Sequence, residues 1–349
     1  MGAAALVVLA TSVLLLRTLG ADIAYYMHLA RGQTDVLLGR LPVEDVLGDP
    51  TTSAAVREGL LLIEEVRRFA SQHVGLKGSS SNYTTYYDTG GEPIAWNVSA
   101  SPPERFESYR WTFPIVGSLP YKGYFRRQLA VDERDRLVEL GFDAIVGAVS
   151  AYSTLGYLSD PILSTMLDEP ESRLVELVLH ELTHATIYVE DHTDYNESVA
   201  SFVGKAGTDH YLTQRYGEDS EPVLRLRRRR AEAEIFRGFL RELTVRLDSL
   251  YESDSPRERV LRTRVTLFED GKQEYRRRRQ DLGNGRFDGF LDWDLNNARL
   301  LSYRRYNSRF DDLAAVLRRR QGDLPAALKV FAICGESEEP WVCIETDSD

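Results

Sequence analysis

The residues best suited to chemistry stand together in one short segment, His180-Glu-Leu-Thr-His184. On a helix, histidines four positions apart lie on the same face, so both imidazoles can reach a single ion. Glu181 is offset by one position, and its carboxylate can lie beside that ion and hold a water without being a ligand. We therefore predict a Zn2+ ion bound by His180 and His184, with Glu181 as the general base.

A third ligand is expected soon after this helix, and Glu197 is the leading candidate. A second helix that runs back antiparallel to the first would place Glu197 in its first turn, opposite His184. His192, Asp191 and Asp194 are alternatives that the sequence leaves open. Three protein ligands leave the fourth position of zinc open to water, which is the arrangement of catalytic rather than structural sites.

The neighbouring residues predict the two helices that must carry this site. Pro170 suits the first position of a helix, and Glu171 adds favourable negative charge there. No residue between Glu171 and Val189 breaks a helix, so the first helix is predicted to run through Val189. Thr193 or Asp194 can cap the second helix.

The composition is that of a globular protein. Hydrophobic residues make up 43% and charged residues 28% of the 349 positions, so extensive disorder is not expected. The formal net charge of −11 argues against nucleic acid as a partner, because phosphate binding needs a surplus of basic surface.

The pattern of elements predicts an α+β fold that is mainly helical, with a small and mostly antiparallel sheet. Residues 22–349 are expected to form a single domain, with the sheet in about 77–155 and a helical part in about 171–334. Strands are predicted at Tyr83–Tyr87, Ile94–Val98, Trp111–Val116 and Ala144–Tyr152, with a helix at about Asp132–Leu140 between the last two.

Both ends of the chain indicate an extracytoplasmic protein. Ala3–Leu16 is uncharged and mostly apolar, and its length suits a signal-peptide core better than a transmembrane helix. Residues 1–21 are therefore predicted to be a signal or membrane anchor, with a buried N-terminal helix as the alternative. Cys334 and Cys343 bracket a short loop and suit a disulfide, although two unpaired thiols remain an alternative.

The segments His180-Glu-Leu-Thr-His-Ala-Thr-Ile-Tyr-Val189 and Tyr195-Asn-Glu-Ser-Val-Ala-Ser-Phe-Val-Gly204 resemble the bacterial family of predicted zinc aminopeptidases. Leu119-Pro-Tyr-Lys-Gly-Tyr-Phe125 and Asn296-Asn-Ala-Arg-Leu300 are similar to that family too. The resemblance implies a gluzincin-like pair of zinc helices, a peptide substrate and a place in the cell envelope. Family members are often lipoproteins, whereas this chain has Leu19-Gly-Ala-Asp22 where a lipobox cysteine commonly stands. That departure favours an uncleaved helix or a secreted form.

The same resemblance suggests groups around the zinc. Tyr306, or else Tyr303, is a candidate donor to the oxyanion. The strand at Ile145–Leu155 is expected to form the edge of the cleft, and Tyr121-Lys122-Gly123 a loop over it or a surface turn. Asn296 and Asn297 are candidate supporting groups or helix caps.

An aminopeptidase also needs an acid for the substrate ammonium, and Asp160, Glu190, Asp191 and Asp194 are the candidates. The alternatives to an aminopeptidase are a zinc endopeptidase and a non-catalytic envelope protein with a structural zinc site.

Overall fold

Helices dominate the chain and are concentrated in its second half. The computed structural model describes residues 23–77, 81–113, 117–149, 159–305 and 309–347. The helices in its first half are α1 (23–39), α2 (Val43–Gly48), α3 (Ala54–Phe69, continued by a π-helical turn at Ala70–Val74) and α4 (Arg127–Glu139). The second half contains α5 (Glu171–His184), α6 (Thr193–Tyr216), α7 (Glu221–Tyr251), α8 (Arg257–Arg278), α9 (Asn297–Arg305), α10 (Phe310–Arg319), α11 (Leu324–Gly335) and α12 (Pro340–Thr346).

The strands are short and form three small sheets. They are β1 (Leu41–Pro42), β2 (Thr85–Tyr87), β3 (Trp96–Ser101), β4 (Trp111–Phe113), β5 (Gly117–Leu119), β6 (Lys122–Tyr124), β7 (Asp143–Ala148) and β8 (Ile162–Leu163). The sheet orders are β1-β2-β8, β6-β3-β7 and β4-β5. Among the described strands β2 and β8 pair in parallel, and the other pairs are antiparallel. The predicted α+β class, mainly helical with a mostly antiparallel sheet component, is confirmed.

The buried hydrophobic residues that the structure describes form three clusters. The largest joins α3, α5, α6, α10 and α11, the second lies among α7, α8 and the segment before α9, and the third lies between α4 and the β6-β3-β7 sheet. Helix α3 shows why these residues form a helix, because Ser53 accepts a hydrogen bond from the Val56 amide at its start. Leu60, Ile63 and Val66 then follow at helical spacing and are fully buried in the first cluster.

Helix α9 is tied firmly to the sheet. The side-chain amide of Asn297 donates hydrogen bonds to the carbonyl oxygens of Pro102 and Arg105, at 3.0 and 3.1 Å. The Asn296 side chain accepts a bond from the Arg299 amide at 2.9 Å, so the helix-cap interpretation of Asn296 is confirmed. These contacts fix the position of Arg305, the last residue of α9.

Two expectations concern the ends of the chain. Cys334 and Cys343 are joined by a disulfide, as predicted. Residues 1–21, predicted to be a signal or anchor, lie outside the described residues. Within the described part of the chain, none of the helices has both the length and the apolar character needed to span a membrane.

Candidate metal and active site

Helices α5 and α6 pack unusually close together, and this brings the predicted ligands to one place. Leu174, Val178 and Leu182 are buried along α5, which turns His180 and His184 toward α6. Gly204 of α6 allows the approach, because a β-carbon there would lie 2.9 Å from the Glu176 carbonyl oxygen. A larger residue at 204 would therefore push the two helices apart.

The three predicted ligands converge. The Nε2 atoms of His180 and His184 are 3.1 Å apart, and Glu197 Oε2 lies 3.5 and 3.6 Å from them. Two donor atoms bound tetrahedrally at about 2.05 Å from one ion are about 3.3 Å apart. The observed triangle therefore matches the size that a zinc ion requires, and His180, His184 and Glu197 form a group that can hold a metal ion.

Two polar atoms of this group have no hydrogen bond within the part of the chain that the structure describes. His184 and Glu197 are 6% and 7% exposed. Within the described residues, neither His184 Nδ1 nor Glu197 Oε2 has a hydrogen-bond partner, and both atoms are buried. Leaving such atoms unpaired is costly, and an ion at the centre of the triangle would satisfy the Glu197 oxygen.

Electrostatics keep Glu197, the predicted third ligand, ionised. Burial alone would raise the pKa of Glu197, but the neighbouring His184 and His180 hold this pKa well below its usual value. Burial likewise works to lower the pKa of His184, and the charges of Glu197 and Glu181 reverse that effect and raise it. The site therefore presents a carboxylate rather than a carboxylic acid, which is the form that binds a metal.

The connection between the helices differs from the prediction. Helix α5 ends at His184 rather than at Val189, and Ile187, just beyond its end, is buried in the core. The expected cap by Thr193 or Asp194 is wrong: His192 occupies the N-cap of α6 and makes no side-chain cap bond.

Asn196 holds this connection instead. Its side chain accepts a hydrogen bond from the Val189 amide at 2.9 Å and donates one to the Val189 carbonyl at 2.7 Å. Because Asn196 directly precedes Glu197, this clamp helps to set where the carboxylate lies. Asn196 was absent from the predicted site residues, and its signal in the sequence was its position beside Glu197.

The alternative third ligands lie elsewhere. Asp191 accepts a hydrogen bond from the Ser118 amide at 2.7 Å, and the Asp194 side chain is 76% exposed. The group of metal-ligating side chains found among the described residues contains Glu197 and not His192. The structure thus brings together the three residues that were predicted first.

Glu181 is half-buried beside this group. A neighbouring residue, Tyr83, is 1% exposed and adopts a left-handed backbone conformation with φ of 60°. Its hydroxyl has no hydrogen-bond partner among the described residues. Burial raises the pKa of Tyr83 well above its usual value, and the charges of Glu181 and Asp160 raise it further. Strained, buried polar residues of this kind tend to occur at functional sites.

Tyr121 also borders the site. The sequence predicted Tyr121-Lys122-Gly123 as a loop over the cleft or a surface turn, whereas Lys122 and Gly123 lie in a strand, β6. Tyr121 precedes β6, and the β4-β5 hairpin before it is anchored by the bond from the Ser118 amide to Asp191. Burial raises the pKa of Tyr121, and the nearby carboxylates of Glu197 and Glu181 raise it further. Gly117 lets the hairpin approach, because a β-carbon there would lie 2.8 Å from Asp191 Oδ1.

One family model matches residues 24–337, and its description is "Putative aminopeptidase". The chain belongs to this family. The match covers most of the sequence, including the helix pair, and the description indicates peptide hydrolysis. No curated protein and no solved structure matches the chain significantly.

The remaining predicted residues of this family member are placed as follows. Tyr303 packs against Phe236 and Trp293 in the second hydrophobic cluster. Tyr306 lies outside the described residues. The predicted edge strand is described only as β7, which ends at Ala148, and positions 150–158 also lie outside the described residues.

Proposed function

We propose that this protein is a zinc-dependent peptidase, with His180, His184 and Glu197 as the metal ligands and Glu181 as the general base. The observation that carries the proposal is the triangle of two imidazole nitrogens and one carboxylate oxygen with edges of 3.1, 3.5 and 3.6 Å. Two histidines and a glutamate form a known catalytic zinc set, which leaves one coordination position open.

The protein residues around this set have the roles that hydrolysis requires. When bound, zinc supplies Lewis acidity and lowers the pKa of a water ligand toward about 7. Glu181 then accepts a proton from the attacking water and passes it to the leaving amine. Glu181 can act as a base because it follows His180 by one position and is not part of the ligand triangle.

Tyr121 supports this reaction as the donor to the carbonyl oxygen. A tyrosine hydroxyl is protonated at neutral pH, and burial raises the pKa of Tyr121 further, so the hydroxyl can donate a hydrogen bond. Negative charge develops on that oxygen as the water attacks, and a donor already in place stabilises it. We propose Tyr121 for the role first given to Tyr306 or Tyr303.

We further propose that cleavage removes residues from a free N-terminus, in keeping with the family description. Asp160 is the acid proposed for the substrate ammonium, since it is 3% exposed and its charge acts on Tyr83 together with that of Glu181. Asp191 and Asp194 suit this role less well, because one is bonded to the Ser118 amide and the other points into solvent.

The proposed location is the cell envelope, with peptides rather than nucleic acids as partners. Two features support it: the apolar stretch Ala3–Leu16 and the disulfide, which is typical of oxidising compartments. Fractionation of cells that express the full chain tests this proposal, and recovery of the protein wholly in the cytosol would contradict it.

The function is tested by metal analysis and peptide cleavage with the wild type and Glu181→Gln. We expect one zinc per chain in both proteins, with cleavage by the wild type alone and only of peptides whose N-terminus is free. Cleavage of acetylated peptides would indicate an endopeptidase. Zinc without any Glu181-dependent cleavage would indicate a structural site and refute the proposal.

A further inference from the structure

A buried arginine stands beside the proposed active site with little to neutralise it. Arg305 is 5% exposed at the end of α9. Its Nη2 lies 3.5 Å from the Pro120 carbonyl oxygen, and its Nε lies 4.0 Å from Asp194, whose side chain is 76% exposed. Among the described residues these are its polar contacts, and both are long for a guanidinium.

A second arginine that is buried among the described residues, Arg264, shows what full pairing looks like. Arg264 is 8% exposed, and one of its nitrogens donates to both oxygens of Asp143, at 2.7 and 2.8 Å. It also donates to the Pro103 carbonyl. A buried charge is costly unless it is paired in this way. Arg305 therefore lacks the short carboxylate pairing that Arg264 has, and a further anion would supply it.

The position of Arg305 indicates where that anion would come from. The guanidinium lies over the Tyr121 ring, 5.6 Å from its centre. Tyr121 in turn borders Glu197 and Glu181. Asp194, the distant ion-pair partner, lies three residues before Glu197 in α6. Arg305 is thus linked to the proposed metal ligands through Tyr121 and through the first turn of α6.

We propose that Arg305 binds a carboxylate of the substrate, so the enzyme prefers peptides that carry a carboxylate close to the bond it cleaves. A guanidinium suits this role because its planar donors match the two oxygens of a carboxylate. The carboxylate is either the free C-terminus of a short peptide or the side chain of an aspartate or glutamate. This inference rests on the proposed peptidase function and adds a substrate class to it.

The experiment compares Arg305→Gln and Arg305→Lys with the wild type on matched peptide pairs. One pair differs by C-terminal amidation, and the other by glutamate against glutamine next to the cleaved bond, so the two sources are distinguished. For Arg305→Gln we expect KM to rise about 10- to 100-fold on the carboxylate-bearing member of one pair. On the uncharged member kcat/KM should stay within about 2-fold, and Arg305→Lys should restore part of the preference.

Arg299→Gln is the matched control, because Arg299 lies on the same helix but stacks on Trp293 in the second hydrophobic cluster. It should leave both pairs unchanged. Equal losses on charged and uncharged peptides, or no preference in the wild type, would overturn the inference.

Calorimetric binding of the same peptides, in zinc-loaded protein carrying Glu181→Gln, provides a readout that does not need turnover. A loss of binding confined to the carboxylate-bearing peptides supports the role of Arg305 even if no hydrolysis is found. Failure of the peptidase proposal is therefore distinguishable from failure of this inference.

Discussion

Replacing Glu197 by glutamine should remove most of the stabilisation that zinc gives to the folded protein. The same change at Glu181 should leave this stabilisation in place. Glu197→Gln preserves the shape of a side chain that is 7% exposed, but it removes the negative charge that the two histidines hold in place. Glu181→Gln is the matched control, since it makes the same chemical change one residue after a ligand. Only the first substitution removes a corner of the donor triangle.

The size of the effect follows from linkage. Zinc at 1,000 times its dissociation constant stabilises the wild type by about 4 kcal/mol. Unfolding a chain of 349 residues carries an entropy of about 0.7 kcal/mol per kelvin, so the melting temperature should rise by about 6 °C. Loss of a ligand should cost more than the roughly 100-fold that supporting residues around a metal can cost. At the same zinc concentration the stabilisation then falls below about 1.4 kcal/mol, or about 2 °C.

The assay is calorimetric melting of the chelator-treated proteins with and without zinc, at a zinc concentration set by the wild-type affinity. The wild type and Glu181→Gln should both shift by about 6 °C, and Glu197→Gln by no more than about 2 °C. A full shift in Glu197→Gln would refute the ligand assignment. Loss of the shift in Glu181→Gln would make Glu181 a ligand rather than the base.

Three further substitutions test the surroundings of the site. Tyr121→Phe should lower kcat by about 100- to 1,000-fold in peptide hydrolysis, with the zinc-induced melting shift unchanged. Asn196→Ala removes both bonds to Val189 and should weaken zinc binding by about 10- to 100-fold in chelator competition. Lys205→Met should stabilise the protein at pH 7 by up to about 3 kcal/mol in urea unfolding, because burial lowers the pKa of Lys205 from 10.5 to about 8. The unfolded chain holds that proton more tightly, so the advantage of Lys205→Met should shrink above pH 8 and vanish above about 10.5.

Each of these predictions has a contradicting result. An unchanged kcat in Tyr121→Phe would show that another residue donates the hydrogen bond to the substrate carbonyl oxygen. Wild-type zinc affinity in Asn196→Ala would show that the clamp does not position Glu197. A stability difference for Lys205→Met that stays constant from pH 7 to pH 11 would show that the lysine is not buried as a charge.

The sequence by itself determined which residues come together within a single helix or a single short loop. His180, Glu181 and His184 could be assigned together because a helix places residues one turn apart on one face, whatever the rest of the chain does. The disulfide between Cys334 and Cys343 was predicted in the same local way, from their spacing, and the structure agrees. The end of α5 was predicted wrongly, because the absence of a helix breaker does not by itself continue a helix. Residues 186–189 are β-branched or aromatic and have low helix propensity, and Ile187 is buried in the core.

Only the tertiary structure decided which distant residues meet at the site. The choice of Glu197 over three alternatives depends on the Asn196 clamp and on Gly204, which lets α6 approach α5. Tyr121 and Arg305 come together beside the site from positions 184 residues apart, through a docked hairpin and an anchored helix. Helical spacing is enforced by hydrogen bonds within four residues of the chain, whereas these contacts follow from how whole elements pack. Packing depends on the combined burial of many side chains, and no short sequence pattern records it.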